Sequence, residues 1–481
     1  MNRRMVFKTV GQICIANAGL MVLPLIVAFI YRDMTSVNVF LKSIVVALAL
    51  GLIIVICARP GTRVIYAKES FVIVSLAWVV TSLLGALPFY FSRLVPNYVD
   101  AVFETVSGFT TTGASILRNV TLLPEALLFW RSFTHWVGGM GVLVFIMAII
   151  PVSDRSIHLM RAEMPGPIVG KLVPRASDTA KLLYIMYIVL TAVEVVFLLA
   201  GGMNLYESIV HAFGTAGTGG FGVKLDSIGG YSPYIQWVIT VFMLLFGINF
   251  NLYYLILLRK FKEVFKSTEL WCYLGIVAVS VILVTANIYP LFKNVSDAVR
   301  TSAFQVSSII TTTGYSTADF DAWPTLSKGI LFILMFFGGC AGSTAGGLKI
   351  SRVVILGKMI RRELKKMLHP RSVSSIRFEG KELDNNTVAS VGNYFAVYVA
   401  CFMLIFILLC FEPKFDMITN ISATAACFNN VGPGFAGVGP MLNFANYSDF
   451  SKIVLSVAML LGRLEIFPLI LAASVSTWRK Q

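Results

Sequence analysis

The chain has 481 residues, of which 57% are hydrophobic and 13% are charged, and its mean hydropathy is +0.80. This composition excludes a soluble multidomain protein and predicts a multi-pass membrane protein. The formal net charge of +15 would suit a nucleic-acid-binding protein, but the lysines and arginines are distributed between the apolar runs, so we expect no nucleic-acid partner.

Ten apolar elements follow one another along the chain, and a membrane-spanning helix needs roughly 20 such residues. The first two occupy residues 13–31 and 39–58. The other eight form four pairs, at 71–91 with 127–152, 182–200 with 234–258, 270–292 with a region starting at 329, and 391–411 with 450–478. Each pair encloses a segment too short to cross a membrane, at 98–109, 205–214, 295–310 and 415–428. The sequence therefore predicts two N-terminal helices and four repeats of helix, short helix and helix.

A glycine-rich loop follows the short segment of every repeat. The loops read Thr-Thr-Thr-Gly-Ala-Ser, Thr-Gly-Gly-Phe, Thr-Thr-Thr-Gly-Tyr-Ser and Asn-Asn-Val-Gly-Pro-Gly, and their reference glycines are Gly113, Gly220, Gly314 and Gly432. Non-helical backbone at membrane depth must be buried in protein or line a watery cavity, because lipid cannot satisfy its N–H and C=O groups. We interpret the four segments as re-entrant pore loops. The alternative is that these glycines serve helix packing.

Each short helix carries an acidic residue near its start, and these residues are Asp100, Glu207, Asp297 and Asp416. Carboxylates favour the positive N-terminal end of a helix, so the negative C-terminal ends are predicted to lead into the glycine loops. Four negative helix ends at one point favour a cation, whereas an anion site would use helix N-termini.

The loops, at residues 109–116, 215–223, 310–318 and 427–438, contain no charged residue. A divalent cation site normally includes carboxylates, so Ca²⁺ and Mg²⁺ are disfavoured. Backbone carbonyls, helped by Thr or Asn side chains, can replace the hydration shell of a monovalent ion, and glycine permits the positive φ that turns successive carbonyls to one side. The predicted substrate is a monovalent cation, with K⁺ first. Seven cysteines without CxxC spacing and four scattered histidines predict no metal cluster, and no covalent cofactor is expected.

The second apolar element of the third repeat is interrupted by glycines, at Gly338, Gly339, Gly342, Gly346 and Gly347. Each costs about 0.8 to 1 kcal/mol relative to alanine in a helix, so the segment is predicted to leave helical conformation in mid-span. Irregular backbone there should line the conduction path. We predict a gate at this loop and at Lys349, which follows it, with a packing kink as the alternative.

Arg463 lies within the last apolar element, where an arginine costs about 2.5 to 3.5 kcal/mol on insertion scales. It therefore requires a polar partner or a cavity, and Glu465 is too close in sequence to share its helix face. Our hypothesis is that Arg463 reaches the carbonyls of residues 338–347 and acts as an electrostatic barrier or latch to cations. A purely structural pairing is the alternative.

Basic clusters set the predicted orientation, because lysines and arginines accumulate on the cytoplasmic side. With ten crossings, the clusters at 3–8, 59–68, 155–181, 259–266, 361–381 and 479–480 all fall on that side. Both termini are then cytoplasmic, and the pore loops enter from outside. The stretch 361–366 is predicted to meet anionic lipid or to dock a cytosolic regulator. Arg131, His135 and Glu194 are predicted either to pair within the bundle or to lie near its ends, with no role assigned in permeation.

These features resemble the Trk/Ktr/HKT superfamily of potassium transporters, most of all the membrane subunit of the bacterial TrkH type, over essentially the whole chain. The resemblance implies one chain folded as a pseudo-fourfold pore in the bacterial inner membrane, a homodimer, and a soluble nucleotide-binding TrkA-like regulatory subunit. It implies a K⁺-binding selectivity filter formed by Thr111, Thr112, Gly113, Thr218, Gly219, Gly220, Thr312, Thr313, Gly314, Asn430, Val431 and Gly432. It also implies that Gly462-Arg463-Leu464-Glu465 acts with the glycine-rich loop at residues 338–347. No repeat carries Thr-Val-Gly-Tyr-Gly, so selectivity against Na⁺ is expected to be weaker than in strict potassium channels, with Rb⁺ accepted.

The predicted organisation is an all-α polytopic membrane protein with an N-terminal two-helix segment 1–69, pore repeats 70–152, 153–258 and 259–360, a cytoplasmic basic linker 361–390 and a fourth pore repeat 391–481. The predicted function is K⁺ uptake through a gated, channel-like pore. A symporter coupled to H⁺ or Na⁺ is the alternative, and a secondary transporter of an organic solute would more naturally have inverted repeats. A membrane enzyme would need a nucleophile, acid and base at one face, and the sequence offers no such cluster. The stretch 432–437 matches the dinucleotide-binding pattern GxGxxG, but no strand-loop-helix unit surrounds it. The stretch 342–349 resembles a P-loop, but Leu348 stands where the lysine should follow the second glycine.

Overall fold

The computed structural model describes residues 2–58, 67–141, 176–292, 294–372 and 374–478. Within these residues the fold is helical, as predicted, and strand occurs in one antiparallel hairpin of β1 (Arg377–Phe378) and β2 (Lys381–Glu382). Several predicted features lie outside the described residues: residues 142–152 of the first repeat, most of the basic clusters at 59–68 and 155–181, and residues 479–480.

Two apolar elements precede the repeats. They consist of α1 (Arg3–Leu20), α2 (Val22–Ile30) and α3 (Met34–Cys57). The side chain of Asp33 caps the N-terminus of α3. A β-carbon added to Gly11 of α1 would lie 3.0 Å from the carbonyl oxygen of Gly51 in α3. The two helices thus approach closely through small residues, as membrane helices commonly do.

The four repeats share one order of helices. The first contains α4 (Ala67–Gly85), α5 (Leu87–Phe91), α6 (Tyr98–Phe109) and α7 (Glu125–Gly139). The second contains α8 (Ala176–Ala200), α9 (Leu205–Ala216), α10 (Pro233–Phe246), α11 (Phe250–Leu257) and α12 (Phe261–Phe265). The third contains α13 (Thr268–Ile288), α14 (Val295–Ile310), α15 (Thr325–Phe337) and α16 (Ile350–Leu368). The fourth contains α17 (Asn385–Leu409), α18 (Met417–Phe428), α19 (Asp449–Arg463), α20 (Phe467–Ala473) and α21 (Val475–Trp478).

The short helices α6, α9, α14 and α18, hereafter the pore helices, are each started by a polar cap. The capping side chains belong to Asn97, Asn204, Asn294 and Asp416. Such caps satisfy backbone N–H groups that have no partner within the helix. At Asp416, hydrogen bonds from the side chain and amide of Thr419 lower the pKa of the carboxyl group. The C-terminal halves of the pore helices are buried, so these helices lead from the surface into the centre of the protein.

In repeats 2 to 4, the helix that follows the pore helix ends before the end of the predicted span. Helix α10 is followed by α11 at an angle of 90°, Gly338 at φ +72° ends α15, and Glu465 and Ile466 with positive φ separate α19 from α20. The sequence predicted an interruption only in the third repeat, whereas the elements predicted at 234–258 and 450–478 are interrupted as well. Both breaks contact another repeat, because the carbonyl of Gly247 accepts a hydrogen bond from the amide of Cys340 and Glu465 pairs with Arg352.

The early helix ends also affect the number of spans. Among the described residues, six helices are long and apolar enough to cross a membrane, or seven if the bent pair α10 and α11 is counted as one span. The sequence predicted ten crossing elements. Helices α7, α15 and α19, which belong to the remaining three, have only 15, 13 and 15 residues.

Candidate functional site

The four glycine loops have the same backbone conformation. In each loop the reference glycine and the residue two positions before it have positive φ, in the pairs Thr111 with Gly113, Thr218 with Gly220, Thr312 with Gly314, and Asn430 with Gly432. A non-glycine residue in this conformation costs on the order of 1–3 kcal/mol and persists only where its surroundings impose it. Positive φ at alternate positions turns successive carbonyl groups toward the same side. The loops are therefore built to collect carbonyl oxygens along one line.

The loops also form a closed ring in chain order. A β-carbon added to a reference glycine would lie almost on a backbone oxygen of the next repeat: Gly113 at 2.0 Å from Gly219, Gly220 at 2.0 Å from Thr313, Gly314 at 2.2 Å from Val431, and Gly432 at 2.7 Å from Thr112. The last contact returns to the first repeat. The ring therefore has approximate fourfold symmetry within one chain.

Each loop is anchored to its own pore helix by one recurring hydrogen bond. The amide of the residue before the reference glycine donates to the carbonyl five residues earlier: Thr112 to Ser107, Gly219 to Gly214, Thr313 to Ser308, and Val431 to Ala426, at 2.8 to 2.9 Å. The C-terminal ends of the pore helices thus lead directly into the ring. Their negative partial charge favours a cation there.

The ring itself offers oxygen atoms but no charged group. Within the described residues, no group of three or more His, Cys, Asp or Glu could hold a metal ion. A cavity of about 130 Å³ touches all four reference glycines on one side of the ring. An ion could thus reach the carbonyl oxygens from this cavity, and neutral carbonyl oxygens suit a monovalent cation better than a divalent one.

The loop at residues 338–347, hereafter the intramembrane loop, lies against the ring. The amide of Gly346 donates to Oγ1 of Thr312 at 2.7 Å, and a β-carbon added to Gly346 would lie 2.5 Å from the carbonyl oxygen of Asn429. The side chains of Thr344 and Thr312 are fully buried. The loop therefore contacts the glycine loops of both the third and the fourth repeat.

The break between α10 and α11 holds the intramembrane loop. The amide of Cys340 donates to the carbonyl of Gly247 at 2.9 Å, and the amide of Phe250 donates to the carbonyl of Gly342 at 3.1 Å. Backbone groups freed by a broken helix must find partners when they are buried. The break in repeat 2 and the loop in repeat 3 satisfy each other's backbone, which explains why both occur at this place.

Glu269, in the first turn of α13, connects the intramembrane loop to the first turn of α16. Its Oε1 atom accepts the amide of Ala341 at 2.7 Å and the amide of Ser351 at 3.1 Å. The Nζ atom of Lys349 donates to the carbonyl of Ala345 within the loop. Glu269 was not predicted as a functional residue, and its only signal in the sequence is an acidic residue just before a predicted span.

Arg463 bridges the intramembrane loop and the end of α7. Its Nη1 atom donates to the carbonyl of Thr344 at 2.8 Å, and its Nη2 atom donates to the carbonyls of Gly138 and Gly139 at 2.5 and 2.6 Å. Its guanidinium carbon lies 5.8 Å from the centre of the Trp78 ring. The arginine thus has the polar partners that its position requires.

The five glycines of the intramembrane loop and Lys349 come together in this one segment. Gly338, Gly342, Gly347 and Lys349 all have positive φ, between 72° and 74°. Gly339 is needed for space, because its β-carbon would lie 3.0 Å from the carbonyl oxygen of Gly247. These six positions and Arg463 therefore form one connected group directly below the ring.

Two further charged residues within the apolar elements, Arg131 and Glu465, form ion pairs. Arg131 forms a buried ion pair with Glu104 at 2.6 Å and donates to the carbonyl of Gly222 at 3.1 Å. Glu465 pairs with Arg352, whose guanidinium lies over the Tyr394 ring. Glu194 is fully buried on α8.

Comparisons with known proteins agree with this architecture. The family model of TrkH, described as a cation transport protein, matches residues 36–479. The chain is 37% identical over 490 residues to the Trk system potassium uptake protein TrkH of Salmonella typhimurium, with all of both chains covered. It is 35% identical over 467 residues to the Trk system potassium uptake protein TrkG of Escherichia coli, covering 95% of this chain and 94% of that one.

A solved structure extends the similarity to the fold. The crystal structure of the potassium transporter TrkH from Vibrio parahaemolyticus matches with a TM-score of 0.89 and 33% sequence identity, and the match covers 100% of both chains. The family model and these relatives span nearly the whole sequence. The chain therefore belongs to the TrkH family of cation transport proteins, which are transporters and not enzymes.

Proposed function

We propose that this protein takes up K⁺ across the bacterial cytoplasmic membrane through a gated pore. The observation that carries the proposal is the closed ring of four uncharged loops, in which each reference glycine abuts a backbone oxygen of the next repeat. The twelve ring residues at positions 111–113, 218–220, 312–314 and 430–432 would hold K⁺ as the transported ion. Relatives named as potassium uptake proteins support this choice of substrate.

In this proposal the intramembrane loop and Arg463 close the pore below the ring. The loop hydrogen bonds to the ring at Thr312, and Arg463 places a positive charge beside Thr344 of the loop. A cation that leaves the ring on this side meets both. The membrane potential would supply the driving force, worth about 2.3 kcal/mol per charge per 100 mV.

The proposed orientation has both termini in the cytoplasm. The guanidinium of Arg3 donates to the carbonyl of Trp478 at 2.7 Å, so the two ends of the described chain are adjacent. The amide of Asn2 donates to Glu69 at the start of α4. These contacts support one common side for the basic segment at 3–8 and for Lys68, and the excess of basic residues favours the cytoplasm.

The proposal includes a homodimer and a soluble nucleotide-binding regulatory subunit. The exposed basic side chains at the end of α16, those of Arg361, Lys365 and Lys366, support a docking site there, because α16 begins directly behind the intramembrane loop. Light scattering of the purified protein tests the dimer, and loss of regulator binding after charge removal at these three positions tests the docking site.

The function is tested by ⁸⁶Rb⁺ uptake into K⁺-loaded liposomes that contain the purified protein. We expect uptake that excess external K⁺ suppresses strongly and excess Na⁺ suppresses weakly. Equal suppression by both ions would contradict a K⁺-selective ring. Uptake that follows an imposed pH or Na⁺ gradient at zero membrane potential would favour the symporter alternative instead.

Thr312→Val is expected to raise uptake about fivefold when no regulator is present. The substitution keeps the side-chain shape but removes the hydroxyl that accepts the Gly346 amide, and one such hydrogen bond contributes about 1 kcal/mol to the closed state. Thr111→Val is the matched control, because Thr111 has the same backbone conformation and its hydroxyl has no hydrogen-bond partner among the described residues. Equal effects of the two substitutions in the liposome assay would contradict this contact as a closing bond.

A further inference from the structure

One residue directly precedes each reference glycine, and in the second repeat this residue is itself a glycine, Gly219. The equivalent residues are Thr112, Gly219, Thr313 and Val431. Gly219 has no positive φ, so its backbone conformation accepts any residue. The glycine at this position therefore needs an explanation based on space.

The imidazole ring of His135 occupies the space behind Gly219. A β-carbon added to Gly219 would lie 2.4 Å from Cγ and Nδ1 of His135 and 2.6 Å from Cδ2. Real β-carbons essentially never approach another heavy atom this closely. His135 belongs to α7 of the first repeat. The glycine loop of the second repeat, called here the second filter loop, therefore packs against a side chain from the first repeat.

His135 is held in a fixed position between the first pore helix and the second filter loop. Its Nδ1 atom lies 2.7 Å from the carbonyl oxygen of Gly108, so this nitrogen carries the proton and donates. Its ring centre lies 4.1 Å from that of Phe221, which directly follows Gly220. A β-carbon on Gly217 would lie 2.3 Å from the His135 carbonyl oxygen. His135 thus contacts the second filter loop on both sides of its reference glycine and is fully buried.

This packing bears on the ring itself. The carbonyl oxygen of Gly219 is the group that abuts Gly113, so any shift of the second loop changes the contact between the first two repeats. In the other three loops a threonine or valine at the equivalent position supplies its own bulk. In the second loop only a residue from outside the loop can do so.

We propose that His135 is a positioning residue for ion selectivity, supplying from the first repeat the side-chain volume that Gly219 lacks. The inference rests on the proposed pore function. It assigns His135 no contact with the ion: the imidazole acts by keeping the Gly219 carbonyl in line with those of the other three loops. Loss of this volume would let the second loop relax outward and would weaken the preference for K⁺ over Na⁺.

The test is a double-mutant cycle of His135→Ala and Gly219→Thr, read as the ratio of K⁺ to Na⁺ concentrations that halve ⁸⁶Rb⁺ uptake. Each single variant is expected to reduce discrimination about tenfold, the change that about 1.4 kcal/mol of differential binding produces. His135→Ala leaves a void, and Gly219→Thr clashes with the imidazole. The double variant is expected to regain most of the discrimination, because the threonine then fills the void as Thr112 and Thr313 do in their loops.

Two results would overturn the proposal. One is wild-type discrimination between K⁺ and Na⁺ in His135→Ala. The other is a double variant whose loss of discrimination equals the product of the losses in the two single variants. Gly219→Ala is the second single variant if His135→Ala does not elute from gel filtration like the wild type, since its one added carbon already meets the imidazole at 2.4 Å. Normal discrimination in Gly219→Ala would overturn the packing argument as well. If the wild type and Arg463→Ala both lack ⁸⁶Rb⁺ uptake, the pore function itself fails, whereas uptake without a change in discrimination is a failure of the His135 inference alone.

Discussion

Gly314→Ser is expected to abolish ⁸⁶Rb⁺ uptake while the protein still folds. A β-carbon at this position would lie 2.2 Å from the carbonyl oxygen of Val431 and 3.0 Å from Cδ of Pro433, and the backbone has φ +83°. The left-handed conformation alone costs a non-glycine residue roughly 1–2 kcal/mol. The larger effect is steric, because the third and fourth loops must separate to admit the side chain. The ring then loses the alignment of carbonyl oxygens on which ion dehydration depends.

Gly275→Ser is the matched control for this substitution. Gly275 lies in α13, and a β-carbon there has open space within 4 Å. Serine is a better helix former than glycine by a few tenths of a kcal/mol or more, so uptake should be unchanged and thermal stability equal or slightly higher. Wild-type uptake by Gly314→Ser would contradict the ring as the ion path.

The four ring positions should not be equally sensitive. The added β-carbon meets the neighbouring oxygen at 2.0 Å for Gly113 and Gly220 but at 2.7 Å for Gly432. Gly432→Ser is therefore expected to retain more uptake than the corresponding substitution at Gly113 or Gly220. The ranking follows from the contacts between repeats and would not follow from a role of these glycines in lipid-facing helix packing.

The four glycine loops could be located from the sequence because their requirements are local. The sequence signals of such a loop all lie close to it. They are a short helix with a polar start, a run of Thr or Asn, and a glycine that must adopt positive φ. The same holds for the intramembrane loop, where the glycines at 338–347 exclude a stable helix. In both cases one stretch of chain is enough to indicate the structure.

The breaks at 247–249 and 464–466 could not be predicted in the same way. Gly247 is one glycine in an apolar run, and its carbonyl becomes a broken-helix acceptor only because Cys340, far along the chain, donates to it. Glu269 and Arg352 were missed for the same reason. The partner of Arg352 is Glu465, 113 residues away. Helical periodicity predicts contacts only between residues that are close in sequence, so it could not predict this pair.

Arg463→Ala is expected to raise ⁸⁶Rb⁺ uptake by the isolated protein about tenfold or more. The guanidinium donates to Thr344 in the intramembrane loop and to Gly138 and Gly139 at the end of α7, and a hydrogen bond from a charged group contributes about 1.5–3 kcal/mol. Removing it releases the loop and also removes a positive charge from the cation path. Unchanged or lower uptake by folded protein would contradict the latch.

Arg463→Lys separates the two contributions of the arginine. A lysine keeps the charge but cannot reproduce the fork of donors that reaches two segments at once, so we expect uptake between those of the wild type and Arg463→Ala. The double variant with Thr312→Val provides the stronger argument. Both substitutions release the same loop, so their combined effect should be less than the product of the two, as for residues that share one structural element. Full multiplicativity would mean that the two contacts stabilise the closed state independently, without coupling through the intramembrane loop.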